Sequence, residues 1–252
     1  MKKLLGSLEL NRIYQRDVIE GMKMIPDNSI YLIIADPPYN IGKKGNYLEA
    51  NDHKFRTVKE DWDTIENFEE FTYKWLKESY RVLRPGGSIL SYGTKHNIYM
   101  TGYLMDQIGY EIRTEYTWNK TNAAPCWTGR NPTESTENII WASKGKGWTY
   151  NLHYAKSIND GKNIRNVITT SLTPQREKEY GKHPTQKRLE GLTDILINLH
   201  SNQGDIVLVP FCGSGTEIVG AQMLNRNWIS FETNPEYIET ANKRLDSLYI
   251  DY

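Results

Sequence analysis

Two short stretches hold the residue types that can do chemistry together. In the first, Ile33-Ile34-Ala35-Asp36-Pro37-Pro38-Tyr39-Asn40, an apolar run from Ile30 to Ala35 ends in a carboxylate, two prolines and a tyrosine. The run reads as a buried strand. Consecutive prolines lack backbone N–H groups and fix φ, so the strand must end in a stiff, extended turn. A carboxylate and an aromatic ring are thereby held at a strand's C-terminal edge, which in open α/β sheets is where ligands bind. A plain Pro-Pro turn with Tyr39 as a packing residue is the simpler reading, and the second stretch weighs against it.

That second stretch is Val209-Pro210-Phe211-Cys212-Gly213-Ser214-Gly215-Thr216, between a buried strand at Asp205–Val209 and a helix at Glu217–Leu224. Glycines let the backbone approach a ligand closely, and a helix N-terminus offers free N–H groups. The turn lacks the third glycine of the dinucleotide fingerprint and the Gly-Lys-Ser/Thr of a phosphate loop, so a cofactor without phosphates fits better than NAD or ATP. The following strand, Asn227 to Glu232, ends in an acid, a placement that suits a ribose diol. A capping or surface glutamate is the bland alternative. Glycine loop, strand-end acid and Asp-Pro-Pro-Tyr turn together describe S-adenosylmethionine as the ligand.

The elements that must position these groups alternate helix and strand. Val18, Met22 and Ile25 fall at helical spacing before Pro26-Asp27-Asn28 breaks the pattern. Residues 40–63 show no periodicity but carry Lys43, Lys44, Lys54, Arg56 and Lys59, which reads as a mobile basic loop behind the Asp36 turn. Helices are expected at Asn67–Leu83 and Asn97–Gln107, and strands at Ser88–Tyr92 and Tyr110–Trp118. This order implies parallel pairing through helical crossovers. A further strand fits Glu137–Ala142, a helix runs from Gln186 with Leu189, Leu192, Ile195, Leu196 and Leu199 on one face, and a last helix closes the chain from Pro235 to Leu248.

Composition narrows the partners. The 252 residues suffice for one sizeable core plus an appendage. Lys+Arg and Asp+Glu are both 31, so no global excess of cations advertises nucleic acid, and any such partner must meet a local patch. Residues 120–182 supply one, with ten cations against five anions and interleaved Trp127, Trp141, Trp148, Tyr150 and Tyr154. A decorated surface lobe is the competing interpretation. No apolar run approaches the roughly 18 residues of a membrane span, and no signal peptide is expected. Cys126 and Cys212 match no metal or disulfide spacing, so a reducing cytoplasm is the default and no metal site is expected.

With these parts in place, the chain resembles the β-class N6-adenine DNA methyltransferases. Asp36-Pro37-Pro38-Tyr39 matches their catalytic motif and Phe211-Cys212-Gly213-Ser214-Gly215-Thr216 their cofactor loop, in the β-class order with a variable region between. His183-Pro184-Thr185-Gln186-Lys187 matches the segment leading into the helix beside the cofactor's methionine moiety. Gln15-Arg16-Asp17-Val18 matches the segment whose acid reaches the cofactor adenine. Residues 119–125 and 135–142 look like those of GATC-directed members.

The resemblance implies an α/β, Rossmann-like S-adenosylmethionine-dependent methyltransferase sheet, circularly permuted. It divides into a catalytic half (1–119), an inserted target-recognition region (120–182) and a cofactor-binding half (183–252). Asp36, Pro37, Pro38 and Tyr39 would be catalytic. Asp17, Val18, Asp36, His183, Thr185, Lys187, Phe211, Gly213, Ser214, Gly215, Thr216 and Glu232 would bind S-adenosyl-L-methionine. Lys43, Lys44, Lys54, Arg56, Lys120, Asn122, Trp127 and Arg130 would contact DNA, double-stranded with single strands left open, and the enzyme would be a monomer or homodimer of a restriction-modification setting.

Two departures from the family pattern stand out. Val209 takes the place of the usual Asp, removing a polar support near the sulfonium, and Arg188 takes the place of a frequent Pro. Three rivals stay open. An N4-cytosine methyltransferase usually has Ser at position 36, and an RNA or glutamine methyltransferase more often has Asn there. A catalytically silent DNA-binding relative is the third.

Overall fold

The computed structural model describes residues 3–41, 64–126, 128–181 and 185–248, and the backbone of 47–51 and 54–58. In chain order the elements are β1 (Leu4–Leu5), β2 (Leu8–Glu9), β3 (Arg12–Gln15), α1 (Val18–Met22), β4 (Ile30–Ala35), β5 (Tyr47–Asn51), β6 (Lys54–Val58), α2 (Phe68–Val82), β7 (Leu83–Gly93), α3 (Ile98–Ile108), β8 (Glu111–Lys120) and β9 (Thr136–Ser143). They continue with α4 (Leu152–Ser157), β10 (Val167–Thr170), α5 (Asp194–His200), β11 (Ile206–Val209), α6 (Thr216–Met223), β12 (Asn227–Glu232) and α7 (Pro235–Ser247).

Eight strands form one sheet in the order β10-β8-β9-β7-β4-β11-β12-β3. All neighbouring pairs are parallel except those involving β9, which runs antiparallel between β7 and β8. The helix–strand alternation up to Trp118 implies parallel pairing, and β4 and β7 pair so. The strand at 137–142 carries no expected direction; the residues after Lys120 turn back without a crossover helix, and an antiparallel return needs none.

Helices cover both faces. In β4, Ile33 and Ala35 join the cluster under α1, α2 and α3, whereas Leu32 and Ile34 join the one under α5, α6 and α7. A strand covered on both sides is apolar at every position, which is why β4 reads as an unbroken run. Side chains alternate along a strand, so Asp36, next in register after Ile34, belongs on the α5–α6 side. β4 crosses to β7 on one side, and its other neighbour β11 crosses to β12 on the opposite side. The gap between β4 and β11 is therefore the topological switch point, where a crevice opens at the strand ends.

Two local readings are revised. Residues 47–51 and 54–58 pair as an antiparallel hairpin where a mobile loop was expected. Tyr47, Phe55, Thr57 and Val58 are strand formers, too few to register as periodicity against the surrounding charges. The helix expected from Gln186 begins only after a kinked π-helical turn at Leu189–Thr193, where Gly191 has a φ of 79°. That turn leaves Gln186, Lys187 and Arg188 outside any helix. Among the described residues, no helix is long and apolar enough to cross a membrane.

Candidate functional site

Asp36 stands where β4 stops. Its Oδ2 lies 2.9 Å from Lys187 Nζ, and its Oδ1 accepts a hydrogen bond from the Tyr39 hydroxyl at 2.6 Å. Lys187 is buried, 3.4 Å from Glu137 Oε2. Glu137 Oε1 in turn accepts from Lys120 Nζ at 2.5 Å. Four charges thus alternate in sign from β4 to the ends of β9 and β8. The lysine ammonium also sits 5.3 Å from the ring centres of both Tyr39 and Tyr92.

The extended 186–188 segment is pinned from both ends, which sets where Lys187 stands. Thr173 Oγ1 donates to the Gln186 carbonyl at 2.7 Å, and Thr216 Oγ1 donates to the Lys187 carbonyl at 3.2 Å. Burial pushes the Asp36 carboxyl above its ordinary pKa, with Lys187 and the Tyr39 hydroxyl pulling the other way. Burial alone would lower the Lys187 pKa, but Asp36 and Glu137 outweigh it and hold the ammonium protonated above the usual lysine range. Glu137, flanked by two lysines, is held below the usual carboxylate range despite its burial.

The glycine loop after β11 forms the opposite wall. Phe211 packs edge-on against Trp75, with ring centres 5.4 Å apart, and against Phe71 at 6.3 Å, so α2 holds the loop's entry. Gly213 N–H donates to Glu232 Oε2 at 2.9 Å. Glu232 Oε1 accepts from the N–H groups of Thr233 and Asn234, also at 2.9 Å. The carboxylate is thereby fixed at the end of β12. Buried Arg244 of α7 ties down the rest of the loop, donating to the Ser214 carbonyl at 2.8 Å and to Thr216 Oγ1 at 3.0 Å.

A cavity of about 280 Å³ lies between these walls. It is bordered by Asp17 and Val18 at one end, by Phe211, Gly213, Ser214, Thr216 and Glu232 along the loop, and by Asp36, Pro37, Pro38, Tyr39, Thr185 and Lys187 at the other end. Thirteen of the residues singled out by sequence are therefore brought together. Asp17 also caps α1, its Oδ1 accepting from Ile19 and Glu20 N–H.

Other expectations come out differently. Gly215 does not border the cavity; its φ of 83° turns the chain into α6, and a Cβ there would meet the Ala241 Cβ at 2.7 Å. Lys187, expected at the cofactor, borders the cavity but has its ammonium on the Asp36 carboxylate. Lys120, expected on DNA, is held inside by Glu137. Asn122 uses its side-chain oxygen to accept from Leu172 N–H at 2.7 Å. Arg130 is exposed. Lys43, Lys44, Trp127 and His183 lie outside the described residues, as do the side chains of Lys54 and Arg56.

Sequence reasoning passed over Glu137, Glu217, Tyr92 and Arg244. The available signals were an acid just ahead of the apolar run Ile139-Ile140-Trp141-Ala142, in Glu137, and an acid opening the apolar stretch Ile218-Val219-Gly220-Ala221, in Glu217.

Position 209 also changes meaning. Val209 is fully buried in the cluster beneath α5, α6 and α7 and does not border the cavity. Replacing Val209 by Asp should therefore act on the fold before it acts on the ligand. An unpartnered acid in that cluster should cost roughly 3 kcal/mol or more, a fall in melting temperature of roughly 6 °C or more. A thermal melt unchanged from wild type would show that the site accommodates a carboxylate.

A doubly wound sheet, a phosphate-free cavity at its switch point and carboxylates along that cavity define a methyltransferase that uses S-adenosylmethionine. The donor set fits this cofactor: Asp17 and Glu232 suit hydroxyl and amino groups, the buried Glu217 Oε1 has no partner, and the loop has no phosphate-binding lysine. Residues 30–243 match the family model described as DNA methylase, N6_N4_Mtase, and the chain belongs to that family. The type II methyltransferase M2.DpnII of Streptococcus pneumoniae is 41% identical over 237 residues, covering 92% of this chain and 88% of its own. The type II methyltransferase M.HinfI of Haemophilus influenzae is 39% identical over 246 residues, covering 94% and 68%. Among solved structures, the M1.HpyAVI–SAM complex superposes with a TM-score of 0.71 at 28% identity, covering 93% of this chain and 98% of that one. The cytosine-N4-specific PvuII DNA methyltransferase gives 0.73 at 19% identity, covering 92% and 85%, a likeness of fold alone.

Proposed function

We propose that this protein transfers a methyl group from S-adenosylmethionine to N6 of an adenine flipped out of double-stranded DNA. The observation that carries the reading is the Asp36 carboxylate, held by Lys187 at the cofactor cavity's edge on a turn whose prolines cannot donate hydrogen bonds. The 39–41% identity to type II methyltransferases supports it.

The cofactor supplies an electrophilic methyl group; the chain's residues prepare the nucleophile. An exocyclic amine is a poor nucleophile because its lone pair is conjugated with the ring. Asp36 and the Pro37 carbonyl would accept its two N–H protons, localise that lone pair and stabilise the positive charge that develops on nitrogen. Tyr39 now holds Asp36 Oδ1 with its hydroxyl. The incoming amino group takes that place, and the freed ring stacks on the base, a contact worth about 1–3 kcal/mol. Lys187 opposes the rise that burial gives the Asp36 pKa, favouring the carboxylate, and aims it. Asp17 would reach the cofactor adenine and Glu232 the ribose.

Because β8, β10 and β4 run parallel, the chain after Lys120 and after Thr170 emerges at the same sheet edge as Asp36. The 121–135 and 171–181 segments, with Arg130 exposed on the first, would read the target and offset the few kcal/mol of base flipping. Because β9 and β10 belong to the central sheet, these two segments are the parts of 120–182 to which we assign target recognition.

Incubation with unmethylated DNA and S-adenosylmethionine, followed by mass spectrometry of the digested nucleosides, should yield N6-methyladenine. N4-methylcytosine alone would overturn the adenine assignment.

A further inference from the structure

Glu217 is a carboxylic acid where the fold least tolerates one. It opens α6 and is 4% exposed, its Oε1 has no hydrogen-bond partner, and it borders the cavity. A buried carboxyl oxygen left unpaired costs stability, so its retention calls for a ligand that satisfies it. The charged or titratable groups around it come from every neighbouring element: Asp36 at the end of β4, Lys187 of the extended segment, Arg244 of α7, Tyr92 of β7 and Cys212 of the loop. Both cations are already engaged, Lys187 by Asp36 and Glu137, and Arg244 by the glycine loop. What remains unanswered is the negative charge of Glu217, and it lies at the Asp36 end of the cavity.

Resting on the function proposed above, we infer that Glu217 is the carboxylate that receives the cationic methionine end of S-adenosylmethionine and thereby favours the cofactor over its product. The transferred methyl must lie beside the amine that Asp36 holds, so the sulfonium occupies the Asp36 end of the cavity, within reach of Glu217's field. Glu232 serves the far end. Transfer removes the positive charge from sulfur and leaves an α-ammonium balanced by its own carboxylate, so S-adenosylhomocysteine is attracted less to Glu217 and is released more readily. Burial raises the Glu217 pKa to about 7 before any ligand arrives, with Asp36 adding to the rise and Lys187 and Arg244 opposing it. Binding a cation ionises the group. Below neutral pH, binding of the cofactor therefore releases a proton, and its affinity rises with pH until Glu217 is already ionised; binding of the product, without the sulfonium charge, is coupled less.

The test is calorimetry with S-adenosylmethionine and with S-adenosylhomocysteine, on wild-type protein and on Glu217→Gln, which keeps the shape and removes the charge. For wild type, the ratio of the two affinities should shift toward the cofactor between about pH 6 and about pH 7.5. At the higher pH, Glu217→Gln should lower that ratio about tenfold, as expected for loss of one charge-assisted contact, and abolish its pH dependence. A wild-type ratio constant across this range overturns the inference, whatever the stability of the variant. So does a variant that weakens both ligands equally or neither. Wild-type protein that binds neither ligand would instead remove the cofactor reading itself, and this inference with it.

Discussion

Replacing Lys187 by Met should lower the stability of the protein and narrow, from the acid side, the pH range over which it works. The ammonium lies 2.9 Å from Asp36 and 3.4 Å from Glu137, buried between the rings of Tyr39 and Tyr92. Methionine fills much of the aliphatic space but leaves two buried carboxylates facing each other across it. Glu137 keeps Lys120, and Asp36 is left with the Tyr39 hydroxyl. Removing one member of a buried ionic cluster costs about 3–5 kcal/mol, or roughly 6–20 °C in melting temperature for a chain of this size.

The sign of the pH effect follows from the direction of each shift. Lys187 has a folded-state pKa above its unfolded value, so its contribution is fully present below the unfolded pKa and is lost only as pH rises through the folded one. Across the neutral range the wild type holds that contribution and the variant does not. Asp36 is already raised by burial and loses the main group that opposes the rise. The variant's deficit should therefore be largest near neutrality and shrink on acidification, as the stranded carboxylates protonate. Because the reaction needs Asp36 ionised, the acid limb of the single-turnover rate should move to higher pH. A variant with wild-type melting temperature and an unmoved acid limb would show that Lys187 does not set the state of Asp36.

The second large effect concerns Asp36 itself. Asp36→Ala should lower the single-turnover methylation rate by about 10²–10³, the usual consequence of removing one preorganised group that meets charge developing in the transition state. Cofactor affinity should change little, because Glu232, the glycine loop and Asp17 lie along the rest of the cavity. Stability should fall by less than in Lys187→Met, because no like charges are left facing each other. Lys187 retains Glu137, and the lost residue was itself a buried acid with a raised pKa. The separation of rate from binding is what distinguishes this variant from Lys187→Met. Single-turnover kinetics paired with calorimetry would reveal it, and an unchanged rate would mean that the Asp-Pro-Pro-Tyr turn does not hold the target amine.

Much of this protein is written in local sequence. The β4 run, ended by Asp36 and two prolines, is legible because a strand covered on both faces is apolar at every position and proline stops it. The cofactor loop is legible for a similar reason: Gly213 and Gly215 take positive φ, 49° and 83°, which few other residues adopt. Strand, glycine loop and helix, followed by a strand closed by Glu232, determine an α/β sheet with a phosphate-free cavity.

What tertiary structure alone decided is which distant residues face one another. Lys120 and Glu137 each look like a surface charge, because charged residues are exposed by default, and Lys187 looks like a cofactor contact. They meet only because β9 slots antiparallel between β7 and β8 and the π-helical turn at Gly191 leaves Lys187 outside any helix. Tyr39 reads as a stacking surface, but its hydroxyl direction depends on where Asp36 points, which the parity of β4 sets. Glu217 looks like an acid in a helix's first turn, an ordinary place for one. Only the packing of α6 against the α5 and α7 layer buries it at the cavity wall. Chain order carries local conformational preference, whereas partners for buried charge are chosen by strand order and register, which no short window of residues contains.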